Sequence, residues 1–80
     1  MNVEVHLFKF FITDFEEVYA VIDAENNRLH ISPLNYSFNI TLSLKGDLHQ
    51  QLEQNTQWGE MSFNANVRKV VKEIIEELQL

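Results

Sequence analysis

Apolar residues recur along this chain first with a period of two and later with a helical period, and the change marks its elements. From Asn35 to Leu44 the alternation is strict. Tyr36, Phe38, Ile40, Leu42 and Leu44 lie on one side, while Asn35, Ser37, Asn39, Thr41 and Ser43 lie on the other, as in a strand with one dry and one wet face. Towards the C-terminus Val67, Val70, Val71, Ile74, Ile75 and Leu78 follow the i, i+3, i+4 pattern of an amphipathic helix, which predicts a long helix over about 65–79. Asn64 or Ser62 is placed to cap it and Phe63 to staple it. Such a helix must lay its stripe on the dry side of a sheet.

The N-terminal half supplies the rest of that sheet. Residues 2–13 are β-branched or aromatic enough for a strand, with Val3, Val5, Leu7 and Phe11 on one side and His6, Phe8, Phe10 and Ile12 on the other. Strands over 17–24 and 28–32 follow, joined through Ala24-Glu25-Asn26-Asn27, where an Asn tolerates the positive φ of a tight turn. The alternative for 14–24 is a helix, because Asp14 with Glu17 matches a capping box and Phe15, Val18, Tyr19 and Ile22 have helical spacing; the order is then β-α-β-β-α. Pro33 reads as a bend or edge irregularity before the 35–44 strand. Lys45-Gly46-Asp47 is a turn ending in an N-cap, which opens a short helix over about 47–54. The expected fold is therefore α+β, one domain over 1–80, with an antiparallel sheet of three to four strands and both helices on one face.

A helix is about 10 Å across and strands lie about 4.8 Å apart, so two helices just cover a four-stranded sheet on one face and leave the other bare. If Tyr36, Phe38, Ile40, Leu42 and Leu44 meet the helices, one apolar row of the first strand must look outward with Tyr19 and Val21: either Val3, Val5, Leu7 and Phe11, or His6, Phe8, Phe10 and Ile12. The competing arrangement is a bulge or curled sheet that folds both rows into one core.

Charge and composition narrow the partners. Twelve acidic residues against six basic ones give a formal net charge of -6 at pH 7, which argues against direct binding of nucleic acid or an anionic membrane surface. No run approaches the roughly 20 apolar residues of a membrane span, and 1–15 lacks the basic start and the cleavage site of a signal peptide. With no cysteine in its 80 residues, the chain forms no disulfide and must be held by packing, which fits a reducing cytoplasm.

Motifs for chemistry are missing. His6, His30 and His49 lack HxH, HxxxH or HExxH spacing, although His6 and His30 could become cross-strand neighbours. His30 and Ser32 share a strand face, with Asp23 or Asp47 as a conceivable third member, yet no strained nucleophile turn is present. Gly46 and Gly59 stand alone, so no phosphate-cradling loop is formed, and pairs such as Glu16-Glu17 and Glu76-Glu77 read as solvated faces. No catalytic residue, cofactor or metal is expected. What remains is a small acidic interaction module that binds another protein, or itself as a homodimer, through the uncovered face, an edge strand or the Trp58 loop. Val3, Val5, Leu7, Phe11, Tyr19, Val21 and Trp58 are its candidate contacts. A second reading makes the acidic surface, with Glu73, Glu76 and Glu77, an inhibitor of a nucleic-acid-binding protein, of the kind phages and mobile elements encode, and a third is a small enzyme or metal-binding protein that gathers His6 and His30.

Overall fold

The computed structural model describes residues 3–10, 15–34, 39–57 and 59–80. Over these the order is β1 (Val3–Lys9), β2 (Glu17–Asp23), β3 (Arg28–Pro33), β4 (Ile40–Ser43), α1 (Leu48–Gln54) and α2 (Met61–Glu77). The strands form one antiparallel sheet in sequence order, so β1 and β4 are its edges. This is an α+β fold. Glu17 to Asp23 is a strand, which removes the helical alternative over that segment.

The β2–β3 connection shows why the hairpin prevails. Asp23 pairs with Arg28 across the turn, and Asn27 adopts a φ of 53°, a left-handed conformation that Asn tolerates better than most residues. The Asp23 carboxylate accepts hydrogen bonds from the Asn26 backbone N–H at 3.2 Å and the Asn26 side-chain amide at 2.9 Å. Local turn chemistry therefore reinforces the β-branched residues on either side.

Pro33 is the last residue of β3, paired with Val18, and is buried; it extends the strand expected to stop at 32. Leu34 donates its N–H to the Glu17 carbonyl, so by alternation the nitrogen of Pro33 faces away from β2 and no β2–β3 hydrogen bond is lost. The strand expected over 2–13 ends at Lys9, with Phe10 still donating to the Glu16 carbonyl at 2.8 Å. Phe11, Ile12 and Thr13 lie outside the described residues, as do Asn35, Tyr36, Ser37 and Phe38 of the strand expected over 35–44.

Leu48 and Leu52 of α1 and Val67, Val70, Val71, Ile74 and Ile75 of α2 are buried against Val18, Ala20, Leu29, Ile31, Ile40 and Leu42 on one face of the sheet. Asp47 caps α1 by accepting from the Gln50 N–H at 3.1 Å. The long helix begins earlier than its apolar stripe suggests. Its N-cap is Glu60, in extended conformation and with no side-chain cap bond, so neither Asn64 nor Ser62 caps it. Asn64 instead donates its side-chain amide to the Gly59 carbonyl at 3.0 Å, while Phe63 packs edge-to-face on the buried Phe15 with centroids 5.5 Å apart.

Two polar tethers fix the helices. Arg68 of α2 reaches the end of α1: its Nε donates to the buried Thr56 Oγ1 at 2.7 Å and its guanidinium also donates to the Thr56 carbonyl at 3.3 Å. The same Thr56 hydroxyl donates to the Leu52 carbonyl at 2.7 Å, so the end of α1 is bound to α2. Gln51 uses its carboxamide as a strand would. It accepts from the Ser43 N–H at 2.8 Å and donates to the Ser43 carbonyl at 2.9 Å.

Replacing Ile74 by Ala should lower unfolding free energy by about 2–5 kcal/mol, because it opens a cavity where the helix stripe meets the sheet. Urea denaturation followed by circular dichroism measures it. Arg68→Met, which keeps the stem and removes the charged donor, should cost about 1.5–3 kcal/mol by the same measurement.

Candidate functional site: the outer face of the sheet

Register assigns every strand residue to a face. Glu4, His6 and Phe8 stand beside Ile22, Ala20 and Val18, hence on the helix side, while Val3, Val5, Leu7 and Lys9 stand beside Asp23, Val21, Tyr19 and Glu17 on the outer side. The polarity of β1 is thus inverted. Its apolar row turns away from the core, with Val3 40%, Val5 61% and Leu7 46% exposed, and Tyr19 on β2 is 37% exposed. Val21, opposite Val5, is half-buried. On the helix side Glu4 is exposed, His6 half-buried and Phe8 only partly buried against the core. The helices therefore cover β2 to β4 well and leave β1 projecting, rather than covering all four strands.

This outer surface has an apolar centre and charged ends. Lys9 faces Glu17 at one end, and Asp23 faces Val3 and pairs with Arg28 at the other, with Arg28 Nη2 donating to Asp23 Oδ2 at 3.3 Å. Towards β3 and β4, His30 Nδ1 and Thr41 Oγ1 are hydrogen-bonded at 2.9 Å, and with Val21, Asp23 and Arg28 they line an open depression of about 260 Å³. The Asn26 carboxamide, then its backbone N–H and the Arg28 guanidinium, hold the Asp23 carboxyl below the usual carboxylate range, outweighing the effect of burial.

The other candidate constellations come apart. His6 lies on β1 facing the helix side and His30 on β3 facing outward, so they are neither on adjacent strands nor on one face. His6 Nε2 instead lies 3.5 Å from Glu4 Oε2, and His49 is exposed on α1. Among the described residues no three His, Asp or Glu side chains gather as a metal site would require. His30 bonds to Thr41 rather than to Ser32, Asp23 is engaged with Asn26 and Arg28, and Asp47 is the α1 cap. Phe11 and Trp58 lie outside the described residues. Glu73, Glu76 and Glu77 are exposed on α2, on the opposite side of the molecule from the outer row of β1. Among the described residues no ion pair joins these glutamates to Lys69 or Lys72 on the same helix, and the Arg–carboxylate pair is Arg28–Asp23.

Between sheet and α2 a partly open gap beside Phe15, Val18 and Val70 offers about 10 Å³, room for no more than one water. Among the described residues no helix is long and apolar enough to cross a membrane. Compared with protein-family models, curated proteins and solved structures, the chain matches none.

Because the folded Asp23 carboxyl titrates below its unfolded value, its stabilising effect is present above the ordinary carboxylate pKa and is lost as pH falls through the lower folded value. Asp23→Ala should therefore be less stable than the native chain at neutral pH, and the difference should shrink in acid. Urea midpoints across a pH series measure this.

Proposed function

We propose that this chain is a non-enzymatic protein-interaction module that docks a second protein on the outer face of β1 and β2. One observation carries the reading: Val3, Val5, Leu7 and Tyr19 form an exposed apolar row on the sheet face that neither helix covers. Such a row costs solubility and adds nothing to the core, so it is best accounted for by a binding partner. Its arrangement supports this, since an apolar centre with aromatic Tyr19, bounded by Lys9, Glu17, Asp23 and Arg28, has the core-and-rim layout of a protein interface. The partner surface called for is an apolar ridge flanked by charges of both signs. A cysteine-free chain in the cytoplasm suits this role, because no disulfide is needed to hold the sheet.

The test is affinity capture from the native host with mass spectrometry, comparing the native chain with Tyr19→Lys and with the triple reversal Glu73→Lys, Glu76→Lys, Glu77→Lys. Tyr19→Lys should keep its unfolding free energy within about 1 kcal/mol and lose its partner by about tenfold or more, whereas the triple variant should keep it. A partner retained by Tyr19→Lys and lost by the triple variant would move the function to the acidic face of α2 and defeat this proposal.

A further inference from the structure

The two edges of the sheet are finished differently. In β4, Leu44 donates its N–H to the Asn27 carbonyl of the neighbouring turn, so by alternation Ser43 and Thr41 point their backbone groups to the free edge. There the Gln51 carboxamide satisfies both the N–H and the carbonyl of Ser43. In β1, Phe10 donates to the Glu16 carbonyl, so Glu4, His6 and Phe8 point towards β2, and Val3, Val5, Leu7 and Lys9 present their N–H and carbonyl groups outward. Among the described residues nothing accepts or donates there. The strand is seven residues long, and of the residues that commonly protect an edge it carries Lys9, at its end, and Glu4 on its helix side.

We infer that two copies of this chain pair antiparallel through β1, about a two-fold axis that sets Val5 against Val5 of the second copy. The strand itself restricts the register of such a pair. Only Val3, Val5, Leu7 and Lys9 offer outward backbone groups, so these must face one another, which keeps both apolar rows on the same side of the joined sheet. With Val5 on the axis, Val3 meets Leu7 of the second copy, and Leu7 meets its Val3, giving an unbroken apolar row. On the helix side Glu4 then meets His6 of the second copy, and His6 meets its Glu4, so each carboxylate gains an imidazole neighbour from across the axis. Moving the axis to His6 opposes the two imidazoles and sets Val3 against Lys9; moving it to Glu4 opposes two carboxylates. The projection of β1 beyond the helices leaves room for the second strand.

The pairing goes beyond docking on the sheet face, because it uses the backbone edge and needs no other protein; its test is independent of Tyr19→Lys. Facing residues of a hydrogen-bonded antiparallel pair have Cα atoms about 5.5 Å apart, within the roughly 4.4–6.8 Å that a disulfide spans. The native chain has no cysteine, so single variants report contact cleanly. Under mild oxidation Val5→Cys should form a linked dimer, while Leu7→Cys, about 14 Å from its own copy in this register, should not. In sedimentation velocity across a dilution series the native chain should dimerise. Val5→Pro, which removes an outward N–H but no β1–β2 hydrogen bond, should keep the fold by circular dichroism and abolish the dimer. His6→Glu, which puts like charges opposite each other twice, should weaken dimerisation about tenfold, and adding Glu4→Lys should restore it. A native chain that stays monomeric throughout the series, equal linking at Val5→Cys and Leu7→Cys, linking at His6→Cys in place of Val5→Cys, or a His6→Glu variant that dimerises normally would each overturn the inference.

Discussion

Two helices on one side of a four-stranded sheet can dry only the area they overlie, and this constraint organises the molecule. The stripe of α2, from Val67 to Ile75, and the two leucines of α1 settle over β2, β3 and β4, whose inward residues are buried. Beyond them β1 is held mainly by its pairing with β2, with Phe8 and Phe10 partly packed against the core. The strand therefore keeps Glu4 and His6 on the helix side without leaving a buried unpaired charge, and turns Val3, Val5 and Leu7 outward. Polar residues sit where the cover thins, and apolar residues sit where there is no cover at all.

The helices are located by a few polar contacts as well as by the stripe. Apolar packing sets how deeply a helix lies but resists sliding along its axis less well than directional bonds do. Thr56 and Arg68 supply direction between the helices, and Gln51 supplies it between α1 and β4. Arg68 is the eighth residue of α2, two turns in from its start, where the helix macrodipole has little hold on a charge. Its bond to Thr56 makes its position answer to tertiary structure rather than to the helix alone.

Much of the fold was legible because its periods were clean. The alternation through Ile40 and Leu42, the stripe from Val67 to Ile75, the Asp47 cap and the Asn turn each rest on local chemistry that a linear reading can see. The start of α2 was not legible, because Met61 to Asn64 carry no apolar period and the turn begins without a side-chain cap. The Thr56–Arg68 and Gln51–Ser43 bonds were hidden for a different reason: they join residues 12 and 8 positions apart, and only the packing of α1 brings them together. The outward row was legible as one of two possibilities. Choosing between them required the β1–β2 register, which no feature of the first strand specifies on its own.

The Gln51 carboxamide has a consequence larger than the bonds it makes. A sheet with two open edges can add copies head to tail, the leading edge of one molecule on the trailing edge of the next, and nothing in that geometry stops growth into a filament. Here one side chain takes the Ser43 groups that such a neighbour would use. With the Ser43 groups taken, β4 offers a neighbouring strand a shorter ladder than β1 does, and growth through that edge is disfavoured.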